Sequence, residues 1–143
     1  MNEHTKIRVV NFFLDFLLSF FFYFIKRKKN RIIFMSSYLG DYTSNSKFLF
    51  EDLINQDIGY ELKFVVNDEH LRKSLEERLG KHFISNKTLK EKIYILNAKY
   101  WVCSYFDMPV QGIFLSFRRI VLHLGHGIPV NRVRSRTFSN HLE

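Results

Sequence analysis

From Arg31 onward the chain alternates short apolar runs with segments of helical spacing, and this alternation narrows the possible folds more than any other feature. Arg31-Ile32-Ile33-Phe34-Met35-Ser36 enters a polar stretch, Ser37 to Ser46, after which Lys47 to Gln56 carries Phe48, Leu49, Leu53 and Ile54 at helical spacing. Glu61 to Val66 reads as a second strand, and Glu69 to Leu79 as a charged helix with Leu71, Leu75 and Leu79 four apart. Leu89 to Ala98 predicts a further amphipathic helix leading into a third strand, Tyr100 to Cys103, and Ile120 to Leu124 predicts a fourth. Runs apolar enough to be buried on both faces, separated by helices, imply a parallel sheet covered on two sides, an α/β, Rossmann-like fold. Such sheets bind ligands beyond the carboxyl ends of their strands, so the informative residues are Ser37 to Ser46, Ser104 to Met108 and Gly125 to Val130.

The segment before the alternation is of another kind. Val9 to Ile25 is almost continuously apolar over seventeen residues, broken only by Asn11, Asp15 and Ser19. A comfortable transmembrane helix wants about 20 apolar residues, and Asp15 at its middle would cost about 2.5–3.5 kcal/mol on insertion. On a helix the three polar residues share one narrow stripe, predicted to be a wet edge, with Phe and Leu over the remaining surface. Lys26, Arg27, Lys28, Lys29 and Arg31 follow as a basic collar, each cation adding about 1 kcal/mol of attraction to an anionic leaflet. Residues 1–30 therefore read as an interfacial anchor with its collar, and 31–143 as the Rossmann-like domain. The alternatives are a transmembrane signal-anchor and a soluble helix packed on the domain. A secretory signal would place its charge before the apolar run and a small-residue cleavage site after it.

Twenty-two Lys and Arg against fourteen Asp and Glu give a formal charge of +8, which favours anionic partners. Nucleic acid is not the expected one, because no ribonucleoprotein-type aromatic motif or recognition helix stands in the sequence. Cys103 is the single cysteine, so neither a disulfide framework nor a cysteine zinc cluster is available, and the reacting part is expected in the cytoplasm. Within Tyr100-Trp101-Val102 it reads as a buried structural thiol rather than a nucleophile.

Three segments offer chemistry. Gly125-His126-Gly127-Ile128-Pro129 follows an apolar strand, its glycines permit a tight turn, and a neutral imidazole at a strand end suits general-base work. A turn histidine with a satisfied hydrogen bond is the other reading. His123 stands three residues from His126, but no carboxylate or further Cys/His cluster is close enough to complete a metal site; His123 is expected either in the core or behind the residues that would line a site, supporting them. In Gly40-Asp41-Tyr42-Thr43-Ser44-Asn45-Ser46-Lys47, small polar residues lead into a helix N-terminus that offers donors to a phosphate, with Lys47 adding charge. An ordinary helix cap by Ser44 or Asn45 accounts for the same composition. Finally, Met108 to Leu142 holds Arg118, Arg119, Arg132, Arg134 and Arg136 and no acid, which suits a phosphate or lipid headgroup as well as a solvated basic face.

In their order along the chain, Ile32 to Lys47 with its Gly-x-Tyr-x-Ser-Asn-x-Lys pattern, Leu62 to Val66, Ala98 to Val102, and His126-Gly127-Ile128-Pro129 followed by basic residues resemble the first half of the CDP-glycerol glycerophosphotransferases of teichoic-acid and capsule synthesis. The resemblance spans about residues 31 to 136. It departs from the family pattern at Ser46, where Pro is usual, at Gly125, where Trp is usual, and at Val130, Asn131 and Arg132. What it implies is the N-terminal half of a GT-B glycosyltransferase-like architecture. His126 is then the base toward the acceptor hydroxyl, with Gly40, Tyr42, Ser44, Asn45, Lys47, Gly127 and Arg132 as substrate contacts. The implied partners are CDP-glycerol, a lipid-linked polyol-phosphate or glycan acceptor and an anionic membrane surface at the cytoplasmic face. No metal or other cofactor is implied. The family's nucleotide-binding domain, with its further catalytic histidine, is not in this sequence, so the chain is expected to be inactive alone, as a fragment or the partner of a separate C-terminal chain. A non-catalytic protein that holds anionic lipid, and a fragment of another GT-B glycosyltransferase, are the rival expectations.

Overall fold

The computed structural model describes residues 3–24, 26–37, 39–56, 58–112 and 115–125. Its elements run α1 (Glu3–Tyr23), β1 (Lys28–Met35), α2 (Ser44–Asn55), β2 (Glu61–Val65), α3 (Glu69–Leu79), β3 (Phe83–Ile84), α4 (Leu89–Leu96), β4 (Ala98–Cys103) and β5 (Ile120–His123). The five strands make one sheet in the order β3-β2-β1-β4-β5, with every pairing parallel. From β1 the chain builds outward through β2 and β3, then crosses to the other side of β1 for β4 and β5. Strand order therefore reverses between β1 and β4, the place where Rossmann-like sheets open a crevice at their carboxyl edge.

Alternation along β1 sends Ile33 and Met35 to one face, where they pack with Trp101, Cys103, Ile95 and Leu96, and Phe22 of α1 joins them. Phe34 points to the other face among Phe50, Phe64, Leu75 and Val102. Some of the chain's 16 phenylalanines pack there: Phe50 lies edge-on to Phe34 and Phe64, each ring pair 5.3 Å apart, a geometry that adds to simple burial. Good caps fix the shorter helices. Asp68 accepts from the Leu71 amide at 2.9 Å, and Thr88 and Glu91 form a reciprocal capping box.

Several expectations are corrected. The α2 helix begins at Ser44 rather than Lys47, and its N-cap is Thr43, not Ser44 or Asn45. The two-residue β3 was too short for any periodicity to reveal, and Ala98 opens β4 instead of closing the preceding helix. Burial on both faces holds for the centre of the sheet and fails at its edge, where Ile120 and Leu122 of β5 are exposed. His123 is exposed and so not in the core, its ring beside Phe106 at 5.5 Å.

The largest correction concerns α1. Its polar stripe is not a wet edge: Asp15 is 5% exposed and Ser19 2%. The Asp15 carboxylate pairs with Lys92 of α4 and accepts from the Gln111 amide at 3.3 Å. Ser19 sits so close to Gly112 that a Cβ there would lie 2.2 Å from its Oγ. The Asn11 side chain lies outside the described residues. The polar groups thus dock the helix together with Phe22 and Leu18, and most of its apolar surface faces outward through Phe12, Phe13, Leu17, Phe20 and Phe21. No helix among the described residues is long and apolar enough to cross a membrane.

The basic run is likewise divided, with β1 starting inside it at Lys28. Arg27 and Arg31 are buried. Arg31 lies 3.5 Å over the Tyr94 ring and donates to Glu61 at 2.9 Å, and Lys28 donates to the same carboxylate at 2.9 Å. Arg119, expected on a basic binding face, is buried too: it stacks 3.6 Å over Trp101 and donates to Ala98 O at 3.1 Å and Leu115 O at 2.8 Å. Burial, and then the charge of Arg27, lower its pKa to about 9.

Candidate functional site

The carboxyl edge of the sheet at its switch point is assembled by serine hydroxyls. Ser36, just past β1, hydrogen-bonds both backbone groups of Thr43 and lies 3.2 Å from Ser46 Oγ. Ser104, just past β4, donates to Ser46 Oγ at 2.8 Å and accepts from the Ser46 amide at 2.9 Å. All three serines are buried, so one of the helix's N-terminal amides is satisfied by the neighbouring strand end rather than by a side-chain cap of its own. The Thr43 side chain does not cap, and the first turn of α2 holds no acid. Its partial positive charge, about half an elementary charge, is thereby left without a local carboxylate.

Ser44 enters the helix at φ 64°, a region non-glycine residues rarely occupy, and its hydroxyl reaches the Tyr105 hydroxyl at 3.2 Å. Asn45 donates from Nδ2 to Gly125 O at 3.0 Å. The first turn of α2 is thus tied to both Tyr105, beyond β4, and Gly125, beyond β5. Gly125 itself has φ 67°, which glycine adopts at no steric cost. The His123 Nδ1 stands 3.1 Å from Tyr105 O, holding the same two strand ends together.

Of the residues singled out from sequence, Ser44 and Asn45 therefore converge on the strand ends, while Gly40, Tyr42 and Lys47 diverge. Gly40 leans toward β2: its carbonyl accepts from the Asn67 amide at 3.1 Å, and a Cβ on it would meet Asn67 at 2.7 Å. Tyr42 is buried among Phe50, Phe64 and Phe83 and donates its hydroxyl to Glu51 at 2.8 Å. Burial, followed by the Glu51 carboxylate, raises its pKa. The Lys47 ammonium lies 5.3 Å over the Tyr42 ring. His126, Gly127 and Arg132 lie outside the described residues. The Cys103 thiol is buried and its pKa is pushed up to about 12, first by burial and then by Asp107, as a structural thiol requires.

A cavity of about 420 Å³ opens farther along the same edge, where Leu39, Asn67, Asp68, Asn86 and Lys87 meet the Asp15–Lys92 pair. Asn67 and Asn86 were not found by sequence reasoning, since each stands alone after a strand without a motif. Asn67 Oδ1 accepts from the Asn86 amide at 3.1 Å, and Asn86 Nδ2 donates to Pro109 O at 2.8 Å. Among the described residues, no group of three or more His, Cys, Asp and Glu side chains is placed to hold a metal ion.

No curated protein and no solved structure matches the chain significantly. A family model does: that of the CDP-glycerol:poly(glycerophosphate) glycerophosphotransferases, over residues 17–140. This span takes in the parallel sheet, its serine-bridged switch point and the segment after Gly125, so the chain belongs to the CDP-glycerol:poly(glycerophosphate) glycerophosphotransferase family.

Proposed function

We propose that this domain forms the acceptor side of a GT-B-like cleft and takes part in transfer of glycerol phosphate from CDP-glycerol to a lipid-linked polyol-phosphate or glycan acceptor, in teichoic-acid or capsule synthesis. The acceptor hydroxyl oxygen attacks the phosphorus that bears glycerol, a new P–O bond forms, and the bond to CMP breaks with its electron pair leaving on CMP. His126 takes the hydroxyl proton. Phosphoryl transfer of this kind depends on positioning and charge stabilisation. The CDP-glycerol nucleotide is assigned to a second Rossmann-type domain across the cleft.

The observation that carries the reading is the Asn45 to Gly125 hydrogen bond, 3.0 Å, which joins the first turn of α2 to the residue preceding His126. It sits beside the N-terminus of α2, whose N-cap side chain makes no capping bond, and beside the hydroxyls of Ser44 and Tyr105. Lys47, Gly127 and Arg132 complete the proposed substrate contacts, with Gly40 shaping the loop. The outward apolar face of α1 supports a peripheral position on the cytoplasmic face of the membrane, where the acceptor's lipid is anchored.

The test is transfer of radiolabelled CDP-glycerol to membrane acceptors by the chain together with a separately supplied nucleotide-binding domain. His126→Ala should abolish transfer and Asn45→Ala reduce it by about tenfold, the loss of one hydrogen bond of about 1.4 kcal/mol. Unchanged transfer in His126→Ala would remove the proposed base, and full activity of the chain alone would refute the two-domain cleft.

A further inference from the structure

At the amino edge of the sheet, opposite the switch point, a cavity of about 370 Å³ is lined by Phe24, Lys26, Arg27, Lys29, Lys99 and Arg118. Five of those six residues are cations and none is an acid. Glu61, the first residue of β2, is already held by Lys28 and Arg31 of β1. The wall is built deliberately: Phe117 stacks on Tyr23 of α1 at 4.2 Å, the Lys99 ammonium donates to Arg118 O at 3.0 Å, and Arg118 is held at φ 54°.

Arg27 is the informative member. It is only 6% exposed, yet its Nε and Nη1 have no hydrogen-bond partner among the described residues. A buried guanidinium with idle donors is costly unless an anion completes it. The C-terminal end of α1 supplies about half a negative charge, far too little to balance five cations. Burial first, and after it the nearby positive charge of Arg118, push the Arg27 pKa downward, so its charged form is disfavoured until an anion is present.

We infer that this cavity is a binding site for a phosphate group carried on a membrane lipid, gripped by the fork of Arg27 and closed by Lys26, Lys29, Lys99 and Arg118. A guanidinium fork matches phosphate oxygens in a bidentate manner, and the ammonium groups add charge without demanding geometry. The lipid source rests on the reading of α1 as the membrane-facing element. Phe24 lines the cavity and is exposed beside Phe20 and Phe21, so acyl chains and headgroup would meet the protein at the end of one apolar face. The site lies at the edge of the sheet away from the transfer chemistry, which makes it an anchor rather than a substrate subsite.

The experiment measures binding of the full chain to phosphatidylglycerol and phosphatidylcholine vesicles. A preference for phosphatidylglycerol is expected, falling by about thirtyfold in Lys29→Gln/Arg118→Gln, both exposed positions, and by severalfold in Arg27→Lys, which keeps the charge and loses the fork. Lys87→Gln/Lys90→Gln, with the same charge removed elsewhere, should cost threefold at most. Equal losses in the two double variants, or none in the first, would overturn the site. Inorganic phosphate distinguishes the sources. If it competes with the vesicles, and raises the unfolding temperature of the parent more than that of Lys29→Gln/Arg118→Gln, the cavity accepts the phosphate group itself; if the preference persists unaltered, the lipid is required. Should the chain bind neither vesicle, the α1 reading fails, and absence of the differential phosphate shift would then overturn the cavity as well.

Discussion

Gly112 and Cys103 illustrate how single positions in this protein are set by what surrounds them. Gly112 exists because Ser19 of α1 is pressed against the chain there. Gly112→Ala should destabilise the protein by about 1–3 kcal/mol in urea unfolding, as overpacking does, and Ser19→Gly in the same chain should recover part of that loss. Cys103 is held protonated by burial, with a pKa near 12, so iodoacetamide at mildly alkaline pH should leave it unmodified in the folded protein and alkylate it readily in urea. Rapid native alkylation would mean that β4 is open to solvent at its carboxyl end.

At the scale of the element, α1 is docked by its polar stripe and Phe22 and displays most of its apolar surface, unlike an ordinary surface helix. The Asp15–Lys92 pair holds it to α4, both side chains being less than one-tenth exposed. Removing one partner of a buried pair costs about 3–5 kcal/mol, because the remaining charge is left uncompensated. Lys92→Met should therefore loosen α1 first, read as faster amide hydrogen exchange in residues 12–23 with the sheet still protected, whereas Asp15→Asn/Lys92→Met should recover much of the loss. Uniform exchange across the whole chain would instead mean that α1 is part of the cooperative core.

For the molecule as a whole, Glu61 is the electrostatic joint between β1, β2 and α4, accepting from Lys28, Arg31 and the Tyr94 hydroxyl. Burial by itself would raise this carboxyl; the hydrogen bonds from Arg31, Tyr94 and Lys28 outweigh it and hold the pKa at about 2, against an ordinary 4.5. A depressed carboxylate contributes stability that is complete above its unfolded pKa and lost as the pH falls through the folded one. Stability should thus decline between pH 4.5 and 2, and Glu61→Gln should lower stability at neutral pH while flattening that decline. An unchanged acid transition in the variant would place the responsible carboxylate elsewhere. The parallel α/β sheet and the helix Glu69–Leu79 were legible in the sequence because apolar periodicity is a local property that burial of one face imposes. The meeting of Ser44 and Asn45 with the strand ends was half legible, since loops after strands were singled out but their partners Ser104, Tyr105 and Gly125 lie far along the chain. Whether a polar stripe faces water or protein, and whether a cation such as Arg31 or Arg119 is solvated or buried, was not legible at all. Apolar spacing alone determined the layers and the crevice edge, and the ordered motifs carried the family resemblance, because these follow from residues adjacent in sequence; which way α1 turned, which cations remained free and which amide reached Gly125 were decided only by tertiary packing, because each depends on a partner that the local pattern cannot name.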